Sequence, residues 1–163
     1  TLATLRKLPE SFCKTLKMAA PLHDVGKIGI SDSILLKPGK LTTEEFEIIK
    51  THTEIGHRIL AESTSEILLL GAEIALNHHE KFDGSGYPRG LAGHDIPISG
   101  RIAAVCDVFD ALTSKRVYKE AFTIEKALTI LKDGRGNHFD PDLIDLFIAQ
   151  FDRFLSIKMS FAD

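Results

Sequence analysis

No apolar run of 18 residues occurs in this chain, so nothing in it is long enough to cross a membrane as a helix. The first residues also lack the charged and apolar stretches of a signal peptide. Positive charge is not in excess. Lys and Arg number 20 against 23 Asp and Glu, a net charge of -3, which excludes a general footprint for polymeric nucleic acid. A small anionic nucleotide needs only a few local cations and stays within reach. Cysteine is scarce: Cys13 and Cys106 show no metal-type spacing, lie in helix-like apolar segments, and are predicted to be reduced core residues of a cytoplasmic protein. Runs of alternating β-type residues, internal repeats and low-complexity tracts are missing too. What remains is a chain of 163 residues, 44% hydrophobic and 26% charged, suited to one globular all-α domain with a proper core.

Glycine and proline punctuate predicted helices. The first runs from about Pro9 to Leu22, with Pro21 kinking it just before His23-Asp24. Lys37-Pro38-Gly39-Lys40 is a turn, and Thr42 with Glu45 forms a capping box that opens a helix continuing to about Ala61. Ser65 is placed to cap the next helix, from Glu66 to about Glu80. Residues 81–100 hold five glycines and two prolines and form a long loop, a feature that in a compact domain is usually functional. Arg101 to Thr113 reads as an apolar helix, and Thr123 caps another that stops at Gly134 and Gly136. Asp140-Pro141 opens a last amphipathic helix carrying Ile144, Phe147, Ile148, Phe151 and Phe154.

The histidines are sorted by helical facing. At about 100° per residue, His52 falls within the arc of Ile48, Ile49, Ile55, Gly56, Ile59 and Leu60, whereas His57 falls off it and should meet solvent. His78 follows Ile74 and Gly71, and His79 follows Ala75 and Ala72, so both continue a buried surface. Asp107 interrupts an apolar helix on the side lined by Ala103 and Ala111, where small neighbours leave room. His94 is expected at the surface and His138 near the final cap. Three inward histidines, a His-Asp pair and an inward aspartate are expensive to bury singly, and a shared divalent metal site satisfies them together. The donors are nitrogen and oxygen without thiolate, and too many for a four-coordinate structural zinc. That set suits two iron or manganese ions bridged by a carboxylate.

His23-Asp24-Val25-Gly26-Lys27-Ile28-Gly29-Ile30 resembles the signature of HD phosphohydrolases. Asn77-His78-His79-Glu80-Lys81-Phe82-Asp83-Gly84-Ser85-Gly86-Tyr87-Pro88 resembles the defining loop of the HD-GYP subfamily. Ile34-Leu35-Leu36-Lys37-Pro38-Gly39, Asp107-Val108-Phe109-Asp110-Ala111-Leu112-Thr113-Ser114, Arg116-Val117-Tyr118-Lys119 and His138-Phe139-Asp140-Pro141 fit in the same order. The resemblance implies a compact HD-type helical bundle that hydrolyses cyclic di-GMP to pGpG, and in some members on to GMP. It assigns the metal ligands to His23, Asp24, His52, His78, His79 and Asp107, with Asp24 as the bridging, catalytic carboxylate. Lys27 would contact the scissile phosphate. Gly86, Tyr87 and Pro88 would wall the substrate site or meet a protein partner, and Arg116 and Lys119 would hold phosphate and guanine.

The family also carries a helix ahead of the HD pair that supplies a further histidine and, in some members, a glutamate and a third metal ion. Only 22 residues precede His23; none is histidine, and Glu10 is the one acidic residue among them. The resemblance therefore implies a single HD-GYP domain over 1–163 lacking that helix. Its expected consequences are an exposed apolar patch, a tendency to form a homodimer, and an upstream sensor or receiver domain in the parent protein. Competing readings are a metal-deficient cyclic di-GMP sensor and an HD hydrolase of another nucleotide.

Overall fold

The computed structural model describes residues 1–114 and 121–160, and Arg116 and Lys119 lie outside them. The described residues form an all-helical bundle: α1 (Leu2–Leu5), α2 (Glu10–Ala19), α3 (Asp32–Leu35), α4 (Thr43–Lys50), α5 (His52–Ala61), α6 (Glu66–Asn77), α7 (Ile98–Thr113), α8 (Ile124–Asp133), α9 (Pro141–Ala149) and α10 (Phe151–Met159). Tight 3-10 turns cover Ala20–Leu22, Val25–Gly29 and Gly93–Asp95. Among the described residues no helix is long and apolar enough to cross a membrane.

Helix α6 is the hub. It packs against α2, α5 and α7, and α7 in turn packs against α8 and α9. Ala19, Ile74, Val105, Leu131, Leu143, Ile144 and Phe147 are fully sealed from water along this line. Phe147 lies edge-on to Phe109 and stacks on Phe154 at 4.3 Å, tying α7, α9 and α10 together. Burying a side chain of that size contributes about 1.5–3 kcal/mol.

Several helix starts follow the local chemistry. Thr42 Oγ1 accepts from the Glu45 amide and Glu45 returns the bond to the Thr42 amide, completing the capping box. Thr123 accepts from Lys126 N, and Asp140 accepts from Asp142 N with Pro141 in the first turn. Ser65 occupies its cap position without a side-chain bond to the helix.

Other expectations are corrected. The helix predicted over 43–61 breaks at Thr51, whose hydroxyl donates to Ile48 O at 2.7 Å while its amide makes a tight turn to the same carbonyl. Ile48 and Ile59 are 44% and 51% exposed instead of buried. His57 does not simply meet solvent: it is half-buried, with Nδ1 3.3 Å from Ala72 O of α6. The last helix divides at Gln150. Cys13 is only half-buried and Cys106 is exposed, both reduced, in a groove of about 510 Å³ bordered also by Leu2, Leu16, Ile102 and Ile157.

Candidate metal centre

Two chain reversals bring the site together. The first helix tightens at Ala20–Leu22, with Pro21 in that turn, and delivers His23; Asp24 then begins the turn Val25–Gly29. This second turn packs on α5 at Gly26 and Gly56. A Cβ at position 26 would collide with the His52 carbonyl and the Gly56 amide, so only glycine lets the His-Asp pair sit against the start of α5. Helix α6 ends at Asn77, placing His78 at its cap and His79 just beyond. Helix α7 contributes Asp107.

The imidazoles are oriented by the backbone. His23 Nδ1 lies 2.9 Å from Ala20 O and His52 Nδ1 lies 2.7 Å from Ile49 O. His78 Nδ1 lies 3.1 Å from Ile74 O and 3.0 Å from Ala75 O. A carbonyl only accepts, so in each ring Nδ1 holds a proton; His52 and His78, neutral, then present a bare Nε2, whereas His23 can turn an Nε2–H toward the carboxylates of Asp24 and Asp107. Those Nε2 atoms converge on Asp24. His52 Nε2 is 3.4 Å and His78 Nε2 3.8 Å from Asp24 Oδ1, while His23 Nε2 is 3.4 Å from Oδ2 and 3.7 Å from Asp107 Oδ1. Lys27 Nζ donates to Asp24 Oδ2 at 2.5 Å.

Two features call for a cation. Asp24 Oδ1 is buried with no hydrogen-bond partner. His52 and His78 point unprotonated Nε2 atoms at each other across 3.4 Å, an arrangement that repels unless something electrophilic is shared. One ligand atom from each of Asp24, His52, His78 and His79 lies within 4.8 Å of all the others, so these residues could hold a metal ion. His23 and Asp107 adjoin this group on the Oδ2 side. All six residues singled out from the sequence are therefore neighbours.

The charges follow from this crowding. Burial would push the Asp24 carboxyl up, but His23 and Lys27 overcome it and hold it far below the usual range. Asp107 and Asp24 raise His23 to about 10, whereas burial and neighbouring histidines lower His78 to about 4 and His79 to about 3. In the metal-free chain the His23 contribution to stability is fully present below 6.5 and is lost as pH rises toward 10. The His78 and His79 contributions have the opposite sense. They are present above 6.5 and lost as pH falls toward 4 and 3. Thermal unfolding in chelator should therefore peak near pH 6.5, and a flat profile from acid to alkaline pH would contradict the pairing.

Tyr87 lies over this cluster, its ring centroid 4.8 Å from that of His79 and its amide donating to His79 O. Gly86 backs onto the Glu80–Lys81 backbone too closely to admit a side chain, and Pro88 follows Tyr87 through a cis peptide bond. Glu80 went unrecognised in the sequence. It is buried, and its carboxylate accepts from the amides of Arg89 at 2.8 Å and Leu91 at 3.0 Å, folding the loop back over α6. Asn77 Oδ1 accepts from Arg89 Nη2 and pins the same turn. Asking where the amides of a glycine-rich loop find acceptors would have pointed to this acid. His94 is exposed beside Phe82, and His138 stacks on Phe139 below the Asp140 cap, as expected.

Comparison with known proteins places this geometry. The family model for the HD domain matches residues 1–143. A cyclic di-GMP phosphodiesterase of Vibrio cholerae is 51% identical over 161 residues, covering 96% of this chain and 33% of its own length. A cyclic di-GMP phosphodiesterase of Thermotoga maritima is 56% identical over 141 residues, covering 86% and 38%. A 3'3'-cGAMP-specific phosphodiesterase 2 of Vibrio cholerae is 50% identical over 162 residues, covering 99% and 31%. The chain thus spans about a third of the length of these curated relatives. A crystal structure of a cyclic GMP-AMP-specific phosphodiesterase from V. cholerae shares the fold, with a TM-score of 0.69 at 22% identity over 95% of this chain and 42% of that one.

Proposed function

The chain belongs to the HD-domain family, and on that footing we propose that it is a metal-dependent phosphodiesterase that opens cyclic di-GMP to pGpG. The observation that carries this reading is the partnerless Asp24 Oδ1 beneath converging histidine nitrogens, a site shaped for cations in a chain about half identical to phosphodiesterases of cyclic dinucleotides. His23, Asp24, His52, His78, His79 and Asp107 would hold two divalent ions, iron or manganese, with Asp24 at the centre of the donor set. When bound, such ions make hydroxide available at neutral pH and offset the charge of the phosphodiester.

The remaining roles belong to protein groups. Lys27, held on Asp24 Oδ2, keeps an ammonium at the rim where the scissile phosphate would sit, adding positive charge as negative charge develops on phosphorus. Tyr87 covers His79 and, with Gly86 and Pro88, forms one wall. Arg116 and Lys119 are assigned to the ligand's phosphate and guanine on the strength of the motif alone.

A second reading is favoured by one observation: relatives named for 3'3'-cGAMP are as similar as some named for cyclic di-GMP. Anaerobic reconstitution with iron or manganese, metal analysis, and chromatography of products from both dinucleotides tests the two together. Metal-dependent pGpG formation is expected. Turnover of 3'3'-cGAMP alone would move the substrate, and binding of both without hydrolysis would replace the enzyme with a sensor.

A further inference from the structure

Helix α4 contributes no buried residue to the core, yet it carries an aromatic side chain beside the metal centre. Phe46 is 45% exposed, a placement that core packing does not require. Its ring stands edge-on to Tyr87, at 6.3 Å between centroids and 82° between planes. Lys50, one turn further along α4, is held by Glu47 at 2.6 Å and places Nζ 5.6 Å from both the Phe46 and the Tyr87 centroids. A continuous path of rings therefore leads from His79 through Tyr87 to Phe46, with one ammonium over the last two.

We infer that Phe46, Tyr87 and Lys50 form a purine-stacking shelf that binds one base of the cyclic dinucleotide and sets its affinity. This rests on the function proposed above and extends it to residues on α4. The chemistry fits a nucleobase better than a sugar or a bare phosphate. An aromatic ring with open surface can stack on a purine, and a neighbouring ammonium can reach the acceptors along a guanine edge or the adjacent phosphate. An aliphatic groove would offer neither. Phe46 here is a substrate-binding residue; it makes no contact with the metal ligands and takes no part in bond breaking.

Substitutions at Phe46 separate stacking from mere bulk. In the metal-loaded chain Phe46→Leu keeps an apolar side chain but loses the π face. It should raise KM for the cyclic dinucleotide about tenfold, equivalent to about 1.4 kcal/mol. The effect on kcat should be less than about twofold. Phe46→Tyr should restore KM. The sequence contains no tryptophan, so Phe46→Trp introduces a single indole whose emission reports on the shelf directly. Cyclic di-GMP and GMP should quench it saturably in metal-free protein, and ribose 5-phosphate should not.

A wild-type KM in Phe46→Leu, or equal KM values in Phe46→Leu and Phe46→Tyr, overturns the shelf. So does an indole indifferent to both guanine nucleotides. The two proposals fail separately. Hydrolysis by the wild type with an indifferent Phe46→Leu variant removes the shelf and leaves the enzyme. Quenching by cyclic di-GMP in a chain that never hydrolyses it removes the enzyme and leaves the shelf.

Discussion

Replacing Asp24 with alanine should lower hydrolysis of the cyclic dinucleotide by roughly a thousandfold, the upper end of what one electrostatic stabiliser supplies to a transition state. Its two oxygens face opposite sides of the site. One oxygen faces His52 and His78, and the other faces His23 and accepts from Lys27. Its loss removes negative charge from the centre of the donor set and frees Lys27 from its anchor. A second readout does not depend on turnover. A metal present at a hundredfold excess over its Kd should stabilise the wild-type fold by ~2.7 kcal/mol. That thermal shift should vanish in Asp24→Ala. An undiminished metal-dependent shift, or unchanged turnover, would remove Asp24 from the centre of the site.

Gly26→Ala should be damaging in a different way. The added methyl group meets backbone on two sides, the His52 carbonyl and the Gly56 amide, and neither can rotate away as a flexible side chain would. Overpacking of this kind costs about 3 kcal/mol at its upper end. For a domain of this size that corresponds to a fall in Tm of roughly 6–12 °C. The turn must also move away from α5 and take His23 and Asp24 with it. A displacement of about 1 Å at a catalytic site can cost ~100-fold in rate, so activity should fall further than the loss of folded protein explains. Calorimetry and kinetics on the same preparation test this, and a wild-type Tm would show that the turn tolerates a side chain.

The sequence carried the site further than it carried the fold's breaks. His52, His78 and His79 could be placed because each lies within a few residues of the helix face that buries it, and periodicity is reliable over that distance. The capping box at Thr42 and the Asp140-Pro141 start were legible for the same local reason. The break at Thr51 was not. No glycine or proline marks it; Thr51 turns back on Ile48 O through both its hydroxyl and its amide. The arc drawn from Ile48 to Leu60 wrongly buried Ile48 and Ile59, and it gave no sign that the partly exposed His57 also meets Ala72 O. Cys106 was misplaced because an apolar helix was treated as buried all round, whereas one strip of α7 borders an open groove. The Glu80 brace and the contact of Phe46 with Tyr87 join residues far apart in sequence. Periodicity has no access to contacts of that kind.

The backbone carbonyls behind His23, His52 and His78 have a consequence for how this centre can change over time. Many metal sites set the angle and basicity of their imidazoles with outer carboxylates or amides, and these are side chains that substitution can tune. Here the acceptors are Ala20 O, Ile49 O, Ile74 O and Ala75 O, atoms that every amino acid at those positions would supply. Ligand orientation at these three rings is therefore inherited with the helical path of the main chain. Drift in the surrounding residues leaves it intact, and adaptation has no side chain there through which to adjust it.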